Sequence, residues 1–466
     1  MGLTARALRA TAERPSVLLA PMPGFTELRI AVERELRGRD LPLALTPAEA
    51  DILLVTGADR TGLGAAVERL WQDMPAPRSR SAVRAADEIV SALNAAQSRL
   101  ITCPVPALHA VEQGSDDNPE EDQEGASGAE KMESAGDGHQ HSESEEYQGE
   151  QRGRHEHGRQ EHDDHGGQGS HDEHDDRSDH GGDDGGHEGP SGQGQEEGKT
   201  PAGLPMADTG PDRDGLALDR LHVSLGPLLA DWPAGLTLRL TLQGDVIQEA
   251  EADSSALSGA AAGSSWSSFW TEPWARAGAG EYVSMGEAAR RRAASHLDSL
   301  GRLLSVAGWP AMATTARRLR DELLDMAPGA ELERRVRRLS RLVGRSHTLH
   351  WLTRGIGQLS AADARAAGVS GPAARADGDV PARYRQWLTA VTENVARLDD
   401  SAPLDPSHEE GPRGLLDGAR SPSAALVEVL PGLLSGMELA AARLIVASLD
   451  PDPDELVARP LQVAGD

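Results

Sequence analysis

The chain has 466 residues, a formal net charge of −29, 38% hydrophobic and 3% aromatic residues, and one cysteine, Cys103. A lone cysteine forbids an intrachain disulfide, and equally a cysteine-ligated iron–sulfur cluster or cysteine-rich zinc site built by this chain alone. The charge is localised: residues 111–200 hold 28 acidic and 6 basic residues, a net of −22, against −7 for the remainder, and this balance argues against nucleic-acid binding, which needs a basic stripe to displace counterions.

No apolar run approaches the roughly 18–20 residues that span a bilayer. The stretch from Met1 to Ser16 carries Arg6, Arg9 and Arg14 but no apolar core of a secretory signal. The expected location is the cytoplasm.

Residues 15–110 read as a small α/β domain. Ser16–Ala20 is a short apolar strand closed by Pro21 and the turn pair Pro23-Gly24. Leu28–Arg37 follows as a helix, Asp51–Thr56 as a second buried strand ending at Gly57, and Thr61–Met74 and Ala85–Gln97 as further helices. Strands alternating with helices imply a parallel, doubly wound sheet.

Residues 111–200 contain six residues of the hydrophobic set, 19 glycines and ten histidines. Such a segment buries too little apolar surface to offset its ordering entropy, and is expected to be a disordered linker. Within it His155, His157, His162, His165, His171 and His174 stand among Asp163, Asp164, Asp172, Glu173, Asp175 and Asp176. Imidazole with carboxylate suits Zn²⁺ or Ni²⁺ held loosely by a flexible tract. The plainer reading is a solvated acidic tether, because composition alone builds no coordination geometry.

Residues 201–466 read as a second, mainly α domain with an N-terminal β-hairpin. Leu236, Leu238, Leu240 and Leu242 alternate with polar residues, Gly244-Asp245 turns, and Val246–Ala250 returns. Gly259–Gly280, with Trp266, Phe269, Trp270 and Trp274, is expected to be a loop; its tryptophans could form a partner-binding stripe, and packing against the second domain is the plainer reading. Beyond Ser284 the chain is helical. Ala293, Leu297, Leu300 and Leu304 share one helical face, with further helices at Thr314–Met326, Ala330–Val343, Pro381–Leu398 and Ala424–Ser448. Arg334, Arg335, Arg337, Arg338 and Arg341 read as a solvated or partner-facing side. His347 and His350, at i and i+3, could share a metal or proton role on one helix face; ordinary packing or surface histidines are the simpler reading. Gly355-Ile-Gly357 is no phosphate loop, and no Ser–His–Asp set or nucleotide fingerprint is present.

Two stretches resemble known subunits. Ala48-Glu-Ala-Asp-Ile-Leu-Leu-Val-Thr-Gly57 followed by Leu70-Trp-Gln-Asp-Met-Pro-Ala-Pro-Arg78 resembles the B subunit of NADH:quinone oxidoreductase (respiratory complex I), whose fold is shared by [NiFe]-hydrogenase small subunits. Gly226-Pro227 leading into the hairpin, Ser360–Arg375 with its Gly-Val-x-Gly-Pro-x-x-Arg pattern, and Ala447-Ser-Leu-Asp450 resemble the D subunit, related to the hydrogenase large subunit. Residues between about 255 and 345 match it poorly.

The resemblance implies a B-like and a D-like domain fused in one chain, touching each other, with the chemistry removed. Met22 and Phe25 stand near the places of two cluster cysteines in the B family. The hairpin loop Leu228–Gly235 lacks the D family's quinone-site histidine. Asp452 and Glu455 stand where hydrogenases place a nickel-binding cysteine pair. Arg375 and Asp377 are expected in a structural ion pair. The implied role is structural or coupling, in a complex docked on membrane subunits of a complex I-like or antiporter-like assembly at the cytoplasmic face, with no resident cofactor. The alternatives are a subunit of an oxidoreductase whose redox centres lie in partner chains, and a Ni/Zn-binding accessory protein acting through the linker.

Overall fold

A computed structural model describes residues 14–102, 209–211, 217–254, 257, 268–416 and 420–457. Cys103, Trp266 and the histidine-rich segment with its six candidate metal ligands lie outside the described residues.

The first part is a three-stranded parallel sheet, β1 (Val17–Pro21), β2 (Ile52–Thr56) and β3 (Ser79–Val83), in chain order. Both sheet faces are covered, so β1 and β2 read as continuous apolar runs. Side chains alternate between the faces. Val17, Ile52 and Leu54 pack with Leu28, Val32 and Leu36 of α1 (Thr26–Gly38) and with Ile89, Leu93 and Ala96 of α3 (Ile89–Thr102). Leu18, Ala20, Leu53 and Val55 pack with Ala66 and Val67 of α2 (Gly64–Gln72), and with Leu228 and Ala234 from far along the chain. Helices on both faces agree with a doubly wound plan, but the strand order has no reversal. β3 was hidden from pattern reading because only its ends, Ser79 and Val83, are buried.

The second part opens with an antiparallel sheet in the order β4 (Thr209–Pro211), β5 (Ala217–Leu225), β6 (Thr237–Gln243) and β7 (Val246–Asp253). β6 and β7 are the expected hairpin, and Leu238, Leu240 and Leu242 are buried on one face. The helices are α4 (Glu272–Gly278), α5 (Met285–Val306), α6 (Pro310–Leu324), α7 (Gly329–Gly344), α8 (His347–Thr353), α9 (Ala361–Ala366), α10 (Gly371–Ala376), α11 (Val380–Val395), α12 (Pro422–Leu434), α13 (Leu439–Leu449) and α14 (Pro453–Val457). Ser284 starts α5 as an N-cap, accepting from the Glu287 amide at 3.1 Å. Leu297, Leu300 and Leu304 of α5 join Leu319 of α6, Val336 of α7 and Val391 of α11 in one core.

Two expectations are corrected. The stretch expected to be a loop through Gly280 contains α4. Trp270 and Trp274 are buried there, and the Trp274 indole donates to the Glu409 carbonyl at 3.0 Å. Trp270 shares a core with Ile30 of α1. The helix expected from Ala424 to Ser448 is two, broken at Ser435–Glu438. Gly436 has φ +79°, its amide donates to the Ile247 carbonyl at 2.7 Å, and Ile247 donates back to Met437 at 2.8 Å. The break supplies partners to the backbone of β7, which a continuous helix would not.

Gly226, at the entry to the loop before β6, has φ +99°, and a Cβ there would collide with the Leu236 carbonyl. Both effects oppose any L side chain. Gly226→Ala is expected to destabilise the fold by about 2 kcal/mol or more, read as a fall in the urea midpoint; an unchanged midpoint would contradict this geometry.

Candidate functional site

Helix α1 carries Arg29, Glu33 and Arg37 four residues apart, one stripe on one face. The stripe is turned inward, against α5 and α6. Arg29 pairs with Glu33 and with Asp298 of α5 (2.8 Å). Arg320 of α6, fully buried, pairs with Glu33 (2.9 Å), Asp298 (2.5 Å) and Asp321 (2.8 Å). Arg37 pairs with Asp321. Arg302 then links Asp298 (3.1 Å) to Asp450 (2.8 Å), and Arg413 holds Asp450 at 2.7 Å with Asp452 at 4.0 Å. The network sets five arginines against five carboxylates, so it closes without net charge. Burial pushes the Glu33 carboxyl up, but Arg29 and Arg320 outweigh it and hold it at about 2. For Asp298 burial is likewise outweighed, by Arg29, Arg302 and Arg320, and its value falls well below the ordinary range.

Two further buried carboxyls follow on α14. Among the described residues, neither Asp454 nor Glu455 has an arginine, lysine or histidine within ion-pair distance. Asp454 accepts from the amides of Gly24 (2.8 Å) and Thr26 (3.4 Å), so it caps the N-terminus of α1 from the other end of the chain. Glu455 accepts from the hydroxyl (2.6 Å) and amide (3.2 Å) of Ser423. Burial and the neighbouring Asp452 push each up to about 7. On α5, burial and then Arg292, Arg413 and Arg375 push the His296 imidazole down to about 3, a neutral ring.

Part of the network, with Asp454 but not Glu455 or His296, borders a cavity of about 610 Å³. Met22, Pro23 and Phe25 come from the loop after β1; Leu229, Asp231, Trp232 and Ala234 from the loop before β6. Arg29, Glu33, Arg37, Arg302, Arg317, Asp452 and Asp454 supply its charged wall, and Arg317 is ion-paired with Asp231. Trp232 is fixed by donating to the Leu236 carbonyl at 2.7 Å.

The three segments where the resemblance expects vanished chemistry thus meet at one place. The residues present do not fit the groups that it implies. Met22 is an apolar buried side chain in the sheet core and Phe25 packs on Gly57, so neither supplies a thiolate. Asp452 is held by the Ser268 hydroxyl at 2.5 Å and Glu455 by Ser423, a hard oxygen set unlike a redox nickel site. His347 is exposed, and His350 lies 3.4 Å from Arg385 with no acidic third ligand. Among the described residues no group of three His, Cys, Asp or Glu side chains could hold a metal. Arg375 and Asp377 do not pair with each other. Arg375 pairs with Glu410 at 2.5 Å, and Asp377 accepts from the Ala361 amide at 2.7 Å, capping α9 instead.

Sequence reading missed the network itself. Its signal was the spacing of Arg29, Glu33 and Arg37, and a polar run on α5 (Ser295, His296, Asp298, Ser299, Arg302) interleaved with the apolar face; all five are buried.

No family model and no curated protein matches the chain. Among solved structures it is similar to a chain in the structure of the membrane-bound sulfane sulfur reductase (MBS), an archaeal respiratory membrane complex. The identity is 15% and the TM-score 0.37, over 51% of this chain and 98% of that one.

Removing one partner of a buried network leaves its counter-charges uncompensated. Arg320→Met is therefore expected to cost about 3–5 kcal/mol, measured by urea denaturation; a loss below about 1 kcal/mol would refute a network that bears on stability. The pH dependence has a definite sign. Asp454 and Glu455 have folded values near 7 against ordinary values of 3.8 and 4.5. The folded state therefore holds extra protons between about pH 4 and about pH 7, and the stability they confer falls as pH rises across that window. Glu33 and Asp298 act oppositely, losing their contribution only as pH falls below about 4. Asp454→Asn keeps an acceptor for the Gly24 amide and is expected to flatten the profile between about pH 5 and about pH 7; an unaltered slope would exclude Asp454 as the titrating group.

Proposed function

We propose that the chain is a complex I-like peripheral-arm subunit, B-like and D-like parts fused, that serves assembly or conformational coupling in a membrane-associated complex rather than electron transfer. The reading is supported by the convergence of Met22/Phe25, Asp231/Trp232 and Asp452/Asp454 on one cavity. These residues come from segments roughly 200 residues apart, chosen from the sequence because the resemblance expects a cluster, a quinone head group and a metal there. In their place stand apolar side chains, a tryptophan-anchored loop and a balanced ionic network. In this reading the arrangement holds two layers of the protein in register.

No described helix is long and apolar enough to cross a membrane, so in this reading attachment to a membrane complex comes from partner subunits. A second reading, with redox centres in partner chains, keeps the same docking role and differs only in the activity of the whole assembly. The accessory reading, Ni²⁺ or Zn²⁺ held by the histidine-rich segment, is separable by calorimetric titration of that segment.

Affinity purification of the tagged chain from its native membranes, in mild detergent, is expected to recover membrane-embedded subunits. Iron analysis of the recovered assembly and a quinone-reduction assay separate the first two readings. Recovery of the chain alone, without a membrane subunit, would refute both.

A further inference from the structure

Helix α7 presents an outer face that the assignment above does not use. From Gly329 to Arg345 the chain has six arginines against two glutamates. Leu332, Val336, Leu339 and Val343 are buried, so the opposite face is turned outward. Along it Arg334, Arg338, Arg341 and Arg345 follow at helical spacing, with Leu342, 46% exposed, set among the last three. Arg335 and Arg337 have carboxylate partners in Glu322 and Glu333. Among the described residues Arg334, Arg338 and Arg345 make no side-chain hydrogen bond or ion pair, and Arg341 reaches only the Arg337 carbonyl at 3.4 Å. Shortly after it in the chain α8 exposes Trp351 (66%) and Leu352 (46%), while its Leu349 and Thr353 are buried.

We infer that this face of α7 and α8 docks onto an anionic lipid surface. Unpaired arginines match phosphate headgroups, and an exposed tryptophan followed by an exposed leucine matches the boundary between headgroups and acyl chains. A folded acidic protein would satisfy the arginines but would need pockets for Leu342, Trp351 and Leu352, whereas a fluid lipid surface accommodates all of them without a shaped partner. The negative charge of the whole chain does not oppose such contact. Residues 111–200 carry −22 of the −29, and the outer face of α7 is itself basic. The inference stands apart from the complex I-like assignment, since it names lipid rather than a membrane subunit as the partner.

The test is flotation of the full-length chain with vesicles of phosphatidylcholine alone and of phosphatidylcholine mixed with phosphatidylglycerol. Binding to the mixed vesicles only is expected, weakening as salt is raised. The triple variant Arg338→Glu, Arg341→Glu, Arg345→Glu is expected to lower partition at least about tenfold, and Trp351→Ser about threefold. These side chains are exposed, and unchanged circular dichroism and melting temperature verify that the variants fold. Failure of the wild-type chain to bind the anionic vesicles, or equal binding by the triple variant, overturns the inference. So does capture of an acidic protein through the same arginines without partition onto vesicles. None of these outcomes bears on co-purification with membrane subunits.

Discussion

Charge balance in a water-poor interior is the constraint on which the rest of this structure depends. The layer that contains the parallel sheet is joined to the helical layer through the inward stripe of α1, and that stripe is ionic. A buried ion is costly unless its partners are in place. The carboxylates of α5 and α6 must therefore stand opposite Arg29 and Arg37, and Arg320 must reach between them. Such a joint gains little over an apolar one in net stability, but it tolerates few alternative alignments, because a slip of one helical turn would leave several charges unpaired. The apolar part of the same joint is smaller: Ile30 with Trp270 on one side of the stripe, and Leu228 with Ala234 against the sheet on the other.

The same balance explains why, among the described carboxyls, those pushed up toward 7 lie on α14. The arginines pair with Glu33, Asp298, Asp321, Asp450 and Asp452, so the last two carboxyls are left with hydrogen-bond donors, the repelling Asp452 and, for Glu455, the more distant pull of Arg413. Hydroxyls and amides stabilise a carboxylate less than a guanidinium does, and burial prevails. The cavity inherits this division, with an ionic wall toward α5 and α6 and an apolar wall toward the sheet.

How much of this was legible in the sequence follows from what each feature writes into local pattern. The buried strands, the β6–β7 hairpin and the long helices carry period-two or period-3.6 apolar signals, and their positions emerged within a few residues. β3 did not, since an edge strand buried only at Ser79 and Val83 leaves no alternation to see. The division of the last long helix depended on a backbone exchange between Gly436 and Ile247, which no window of neighbours contains. At the candidate site, the resemblance picked out Met22, Phe25, the loop before β6 and the Asp450–Glu455 segment, but not the contacts they make. Arg29, Glu33 and Arg37 look like an ordinary solvated helix face until α5 and α6 are known to lie across from them. Local pattern gives a charged stripe its spacing; only tertiary structure says whether water or protein faces it.

Asp454 caps a helix that begins at Thr26, so the cap and the helix it serves lie at opposite ends of the chain. During synthesis α1 is made 428 residues before the carboxyl that caps its N-terminus. Its joining face meets its partners on α5 and α6 only 269 to 287 residues later. An apolar face left open for that interval would invite aggregation. A face of arginine and glutamate, by contrast, is well hydrated in the absence of its partners.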